Sequence, residues 1–161
     1  MLLYIVRHAF AGEPGDERYS HDSLRPVTKK GRKQFDQLVK SLRKCEVAPK
    51  VIGTSPYLRC VQTADVLVER LENCSDRQLV ETFAPGCQLS DVLAWARQFA
   101  AQDLAFVGHA PDVNSIAAAL LGAADESLHF AKGAIAAIEF GAEIAPGKGT
   151  LLWFVTPKLI T

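Results

Sequence analysis

The stretch Leu2-Leu3-Tyr4-Ile5-Val6 is a run of strand-forming residues that ends directly at Arg7-His8. A short apolar run of this kind is typical of a strand buried on both faces, as in a parallel sheet. A second run, from Leu104 to Val107, ends in the same way at Gly108-His109. We therefore predict two buried strands, each followed at its carboxyl end by a histidine.

Segments with helical periodicity alternate with these strands. In the first, apolar residues recur at helical spacing between lysines and arginines from Thr28 to Lys44, at Phe35, Leu38, Val39 and Leu42. Further helices are predicted to begin at Ser55-Pro56, at Ser90 (through Ala100), and at Pro111-Asp112 (closed by Gly122). Shorter strands are predicted at Val51-Ile52 and Leu79-Val80, and a terminal pair at Ala134 to Phe140 and Thr150 to Val155. The alternation predicts an α/β fold, a three-layer α/β/α sandwich whose sheet is mostly parallel with a hairpin-like end.

Length and charge limit the class of protein. A chain of 161 residues, 48% of them hydrophobic, can bury a core as one domain spanning residues 1–161. Its 18 Lys and Arg balance its 18 Asp and Glu, so the formal net charge is zero. A protein that grips nucleic acid or an anionic membrane needs surplus cations, so neither partner is expected.

The sequence also indicates in which cellular compartment the protein is expected. The N-terminus MLLYIVRH becomes charged too soon for a secretory signal, and no apolar run approaches the roughly 18 residues of a membrane span. The four cysteines show no C-x-x-C spacing and are expected to be reduced. We therefore expect a soluble, cytoplasmic protein.

Polar residues at the strand ends indicate where the chemistry lies. In an open α/β sheet, ligands bind beyond the carboxyl ends of the strands, where Arg7, His8 and His109 fall. Arg59, early in the helix begun by Ser55-Pro56, would join them. Two guanidinium forks and two helix N-termini favour a dianion such as a phosphoryl group, which a neutral imidazole can attack. The sequence lacks H-E-x-x-H, paired Asp clusters and a Walker loop, so we expect no metal and no cofactor.

These residues also match sequence motifs of a known protein family. Arg7-His8-Ala9, the block Ser55-Pro56-Tyr57-Leu58-Arg59 with Gln62-Thr63-Ala64, and Gly108-His109 resemble the histidine phosphatase superfamily. Leu24-Arg25-Pro26-Val27-Thr28 with Gly31, together with the short chain, is most similar to its SixA-type branch, the protein phosphohistidine phosphatases. The resemblance implies a phosphoglycerate mutase-like fold and a metal-independent phosphatase.

The resemblance also implies roles. His8 would be the nucleophile, Arg7 and Arg59 would clamp the phosphate oxygens, and His109 would donate to the phosphoryl group. All four would bind phosphate. Where the family has Gly after Arg-His, this chain has Ala9, which removes no functional group. His8 must be neutral to attack, so we expect a nearby acceptor, such as a backbone carbonyl, to fix its tautomer.

The sequence offers several candidates for the general acid. In ester-cleaving relatives a carboxylic acid protonates the leaving oxygen from a segment resembling Val80-Glu81-Thr82, which makes Glu81 the candidate. Glu13, Asp16 and Glu17 are further candidates. A phosphohistidine substrate needs a strong acid less, because protonated imidazole is already a good leaving group.

Several functions stay open. The leading hypothesis is a phosphatase acting on phosphohistidine in a protein partner, since no large insertion is present to roof the pocket. The alternatives are a phosphatase for small phosphoesters, a phosphate-binding module without turnover, and a metal site built from the four histidines. His21 and His129 are expected to be exposed loop residues. The basic cluster Lys29, Lys30, Arg32 and Lys33 is either a solvated helix face or a surface for an acidic protein substrate.

Overall fold

The computed structural model describes residues 1–74 and 76–160. Its strands are β1 (Leu2–Arg7), β2 (Val51–Thr54), β3 (Asp76–Leu79), β4 (Leu104–Gly108), β5 (Ile135–Glu139) and β6 (Thr150–Val155). Its α-helices are α1 (Lys29–Arg43), α2 (Leu58–Arg70), α3 (Leu89–Ala96) and α4 (Asp112–Leu121). Short 3-10 helices cover Asp22–Leu24, Glu81–Phe83 and Pro157–Leu159. Within the described ranges, no helix has the length and apolar character needed to cross a membrane.

The strands form one sheet in the order β3-β2-β4-β1-β5-β6. The first four strands in that order are parallel to one another, whereas β5 runs antiparallel to both β1 and β6. The central strand β1 pairs with β4 and β5 through Ile5, whose partners are Phe106 and Ala136. The mostly parallel sheet with a hairpin-like end is therefore confirmed.

Helices cover both faces of the sheet. Because side chains alternate along a strand, Leu3 and Ile5 of β1 pack in the cluster that includes the apolar residues of α3 and α4. Tyr4 and Val6 point the other way and pack with α1 and α2. This burial on both faces explains why β1 is apolar at every inner position, and it confirms the three-layer α/β/α sandwich.

The predicted helices form, but two of their boundaries were wrong. The second helix begins at Leu58, so Ser55 and Pro56 lie before it. The third begins at Leu89 and ends at Ala96, with Gln88 rather than Ser90 as its N-cap. The backbone N–H of Gln88 donates to Asp91 Oδ2 at 2.8 Å, which helps to fix that start.

The long loop between β1 and α1 is pinned at both ends. Ala11 forms a β-bridge with Val27, and the Gly12 N–H donates to the Pro26 carbonyl at 3.1 Å. At the start of α1, a Cβ added to Gly31 would lie 2.3 Å from the Phe10 carbonyl oxygen. Glycine at this position therefore permits α1 to pack against the chain just after β1.

Candidate active site

Four side chains predicted to share a site meet at the carboxyl edge of the sheet. His8 follows β1 and His109 follows the neighbouring β4, and their ring centroids are 5.5 Å apart. Arg59, in the first turn of α2, places Nη2 3.4 Å from His109 Nδ1. Arg7 ends β1, and its charge acts on both imidazoles. The structure thus brings together residues from three separate parts of the chain.

The position of His8 is set by hydrogen bonds to the backbone. The backbone N–H of His8 donates to the Gly108 carbonyl at 3.1 Å, and the backbone carbonyl of His8 accepts from the Gly133 N–H at 2.9 Å. In the ring, Nδ1 lies 2.8 Å from the Ala9 carbonyl oxygen. A carbonyl oxygen only accepts, so Nδ1 carries the hydrogen and Nε2 keeps its lone pair. Nε2 is therefore the nitrogen available to attack an electrophile.

Burial keeps the His8 ring neutral. Only 5% of the residue is exposed. Burial first, and then the charges of Arg59, His109 and Arg7, lower the pKa of His8 to about 3, against the raising effect of the bond to Ala9. At neutral pH the ring has a free lone pair, which a nucleophile requires.

The two arginines are held by parts of the chain that lie outside the sheet. Arg7 Nη1 donates to the Phe130 carbonyl at 2.6 Å. Arg59 donates two hydrogen bonds to Asp22, from Nη1 to the Asp22 carbonyl oxygen at 2.9 Å and from Nη2 to Asp22 Oδ2 at 3.0 Å. In both arginines, the Nε–H is buried without a partner among the described residues. Buried donors without an acceptor are costly, so both point to an acceptor that arrives with a ligand.

His109 joins the ends of β2 and β4 to the start of α2. It is 4% exposed, and its Nε2 lies 2.8 Å from Ser55 Oγ and 3.5 Å from Cys60 Sγ. Burial and the charge of Arg59 lower the pKa of His109 to about 3, although Asp22 acts in the opposite direction. Burial also raises the pKa of Cys60 to about 12, so its thiol stays protonated at neutral pH.

Comparison with known proteins identifies the family. Residues 3–87 match the model of the histidine phosphatase superfamily, branch 1. The chain belongs to the histidine phosphatase superfamily. An uncharacterized protein of Picosynechococcus sp. is 34% identical over 146 residues, which cover 88% of this chain and 87% of that protein.

Solved structures show the same fold. The protein histidine phosphatase SixA, complexed with tungstate, superposes with a TM-score of 0.86 at 24% identity over 100% of both chains. A putative phosphohistidine phosphatase SixA from Nakamurella multipartitia gives a TM-score of 0.80 at 24% identity, covering 97% of this chain and 95% of that one. The predicted phosphoglycerate mutase-like fold and the resemblance to SixA are thereby confirmed.

Motif residues of this histidine phosphatase brace the loop against α2. Gln62 Oε1 accepts from the Val27 N–H at 2.8 Å, and Thr63 Oγ1 accepts from the Ala9 N–H at 2.9 Å while donating to the Arg59 carbonyl at 2.6 Å. Thr63 thus connects the residue after the candidate nucleophile to the helix turn that carries Arg59. The block was predicted as a motif, but its bracing function requires the three-dimensional contacts.

Asp22 and Arg25 are site residues that the sequence-based reasoning did not assign. Arg25 donates through Nε to Asp22 Oδ1 at 3.0 Å and through Nη1 to the Gly12 carbonyl at 2.6 Å. Burial raises the pKa of Asp22, but the hydrogen bond from Arg25 and the charge of Arg59 outweigh it, so the pKa lies below its usual value. Asp22 is therefore ionised and holds both arginines. The Leu24-Arg25-Pro26 motif was the available signal for this pair.

Among the described residues, none of the candidate acids is hydrogen-bonded or ion-paired to the four central residues. Glu81 opens the 3-10 helix after β3 and is exposed, and no hydrogen bond or ion pair joins it to Arg7, His8, Arg59 or His109 among the described residues. In the first loop, Asp16 pairs with Arg18, and both Glu13 and Glu17 are exposed. No carboxyl is therefore singled out as an acid for this family member, and the Glu81 assignment stays a prediction.

The two remaining histidines are exposed. His21 lies at the rim, with its ring centroid 6.5 Å from that of Tyr57, which in turn packs edge-on against His109. His129 lines a cavity together with Arg7. Within residues 1–74 and 76–160, no group of three or more His, Cys, Asp or Glu side chains is placed to hold a metal ion, so a site built from the four histidines has no support there.

Proposed function

We propose that this protein hydrolyses phosphohistidine in a protein substrate, through a covalent phosphoryl intermediate on His8 Nε2 and without a metal ion. The observation that carries the proposal is the state of His8. Its Nδ1 is tied to the Ala9 carbonyl at 2.8 Å, its pKa is lowered to about 3, and two guanidinium groups lie close to it. A binding module would need the cations, but not an oriented neutral nucleophile between them.

The proposed reaction has two steps: transfer of the phosphoryl group to His8, and hydrolysis of the phosphorylated His8. In the first, the His8 Nε2 lone pair forms a bond to phosphorus as the bond from phosphorus to the substrate imidazole breaks. That imidazole, already protonated on its other ring nitrogen, keeps the bonding electrons and leaves as neutral imidazole. In the second, water attacks phosphorus, the bond to Nε2 breaks, and inorganic phosphate and neutral His8 result. The Nδ1–H bond to Ala9 stabilises the positive charge of the intermediate ring.

Arg7 and Arg59 supply the charge that the transition state needs. The buried Nε–H of each arginine lacks an acceptor in the described structure, and the equatorial phosphoryl oxygens fit that role. His109 is held neutral by burial and by the charge of Arg59. A bound dianion offsets that charge and favours the protonated ring, which then donates to a phosphoryl oxygen.

A phosphohistidine substrate agrees with the surroundings of the pocket. Protonated imidazole leaves without help from a strong acid, and Glu81 forms no hydrogen bond or ion pair with the four central residues within the described ranges. The fold match to SixA, a protein histidine phosphatase, supports the same choice.

Trapping with labelled substrate tests the mechanism. Incubation with a ³²P-labelled phosphohistidine protein, followed by a rapid quench, should yield an acid-labile, alkali-stable adduct on His8. His8→Ala should abolish both adduct and turnover, whereas Lys148→Ala, which removes an exposed side chain outside the site, should keep the adduct. Full activity in His8→Ala would overturn the mechanism.

A substrate panel tests the rest of the proposal. Turnover of a phosphohistidine protein should exceed that of common phosphoesters and should be unchanged by a chelator. Preference for an ester would overturn the substrate assignment. Phosphate binding without any turnover would favour a non-catalytic module.

A further inference from the structure

A cavity of about 420 Å³ adjoins the active site on the side of Arg7. Arg7 is part of its lining, and the other basic residues there are His129 and three lysines, Lys30, Lys132 and Lys158. Arg7 also donates to the Phe130 carbonyl, so its guanidinium group lies against the segment that carries Lys132. The cavity and the candidate phosphate site therefore share one cation.

Three elements meet to form this cavity. Lys30 is in α1, Lys132 precedes β5, and Lys158 is in the 3-10 helix after β6. The close approach depends on two glycines, because a Cβ on Gly31 would lie 2.3 Å from the Phe10 carbonyl oxygen, and one on Gly133 would lie 2.9 Å from Pro157 Cγ. The convergence of the lysines is thus a consequence of backbone packing.

The three lysines have no acidic partners within the described ranges. None of them forms a salt bridge there, and the Lys132 ammonium instead stacks over the Phe10 ring, 4.2 Å from its centroid. Arg32, two residues after Lys30, pairs with Glu69 of α2 at 2.9 Å. The basic cluster predicted in α1 is therefore divided, and Lys30 alone among its members lines the cavity.

We propose that this cavity docks an acidic segment of the protein substrate, next to the phosphohistidine that Arg7 and His8 receive. The proposal rests on the function proposed above and specifies the substrate class. The lysines come from three separate elements, and Phe10 provides an exposed apolar contact between them. This spread suits a chain bearing several carboxylates, whereas one compact anion is better held by a convergent fork of donors.

Replacing the three cavity lysines, with the replacement of three other exposed lysines as the control, tests the proposal. The test variant is Lys30→Ala/Lys132→Ala/Lys158→Ala, and the control is Lys29→Ala/Lys33→Ala/Lys148→Ala, which removes three exposed lysines that do not line the cavity. The probes are a phosphohistidine peptide with Asp and Glu on both sides, the same peptide with Ser in their place, and free phosphohistidine. Anisotropy of the labelled, unphosphorylated acidic peptide measures docking without turnover.

The test variant should lose about ten-fold in kcat/KM on the acidic peptide, as expected for three partly solvated ion pairs, and less than about two-fold on the other two substrates. Binding of the unphosphorylated acidic peptide should weaken by a similar factor, and added salt should weaken it in wild type. The control variant should match wild type in each assay. Circular dichroism checks that both variants are folded.

The outcomes separate the two proposals. Equal losses on all three substrates, or no loss on the acidic peptide, would overturn acidic docking while leaving the phosphatase intact. Lysine-dependent peptide binding without hydrolysis of any phosphohistidine substrate would uphold docking and reject the proposed function. Lysine-dependent binding to phosphatidylserine vesicles, with no peptide binding, would overturn acidic docking in favour of a lipid surface.

Discussion

The end of β1 and the start of α2 build the two sides of the pocket by different means. The chain around His8 is held by backbone groups of Gly108, Gly133 and Ala9. Arg59 is held by Asp22, a residue of an exposed 3-10 helix in the loop. The nucleophile therefore has a position defined by the sheet, whereas its principal cation depends on side chains and loop conformation.

The difference shows how the fold divides its tasks. Backbone hydrogen bonds between buried strands persist through most side-chain substitutions, so the reacting nitrogen stays in place. Contacts made by loop side chains can be removed one at a time. Substitutions of the loop side chains that hold Arg59 should therefore change rate or affinity without displacing His8.

Among substitutions on the α2 side of the pocket, the largest effect is expected for Arg59→Ala. Loss of a charged donor aimed at the transition state should lower kcat by about 10²- to 10³-fold on a phosphohistidine peptide. Arg59→Lys should recover little, because an ammonium group cannot replace the fork that contacts both Asp22 and His109. Steady-state kinetics measure the effect, and Arg32→Ala, which removes an exposed arginine, is the control. A loss of less than three-fold would show that the α2 side is dispensable.

The two buried histidines, one on each side of the pocket, should make the free energy of unfolding depend on pH. The pKa values of His8 and His109 are about 3 in the folded protein, against about 6.5 in an unfolded chain. Below about pH 6.5 the unfolded chain takes up protons that the folded protein does not. The free energy of unfolding should therefore be fully retained above that pH and fall towards pH 3, by up to about 1.4 kcal/mol per pH unit for each histidine.

Urea unfolding at several pH values measures this slope. His8→Asn and His109→Asn should each reduce this slope, and Gln98→Asn, an exposed substitution that removes no titratable group, should leave it unchanged. An unaltered slope in both of the first two variants would contradict the assignment of buried neutral rings. Unequal reductions would show which side of the pocket is better shielded.

Thr63→Val probes the connection between the two sides. It keeps the side-chain shape but leaves the Ala9 N–H without its acceptor at 2.9 Å, at an expected cost of about 1–3 kcal/mol in the free energy of unfolding. Thr63→Ser retains the oxygen and should lose less. Chemical denaturation and kcat are measured on the same preparations. Wild-type values for Thr63→Val would indicate that the two sides are independent.

The smallest effect is expected for Glu81→Gln. Because Glu81 is exposed and forms no hydrogen bond or ion pair with the four central residues in the described structure, turnover of phosphohistidine should change by less than about two-fold. Glu143→Gln, in the turn between β5 and β6, is the control. A ten-fold loss specific to Glu81→Gln would mean that this carboxyl acts as an acid even with an imidazole leaving group.

Much of the architecture could be predicted because its signals are local. Leu3–Val6 and Leu104–Val107 are buried on both faces, so continuous apolar runs reveal both the strands and the histidines that follow them. The predicted start of α3 was wrong because the backbone N–H of Gln88 bonds to the Asp91 side chain, whereas Ser90 matched the commoner cap residues. Capping preferences alone do not determine which of several neighbouring polar residues is used.

The site was predictable only in part. Chain order placed His8 and His109 at one edge, but the contact between Asp22 and Arg59 spans 37 residues and depends on how the loop closes. The Ala9 carbonyl that orients His8 is a backbone group, which no side-chain motif specifies. Burial, which lowers the pKa of both histidines, follows from the packed layers and not from their immediate neighbours in sequence.

The bridge between Ala11 and Val27 has a consequence for how this protein can diversify. It closes the loop at its base, so the segment between these residues behaves as an exchangeable unit whose length has little effect on the strand below. Grafting a loop of different composition would change what surrounds Arg59 while His8 keeps its backbone bonds. Any graft must retain one acceptor for Arg59, the requirement that Asp22 now fulfils.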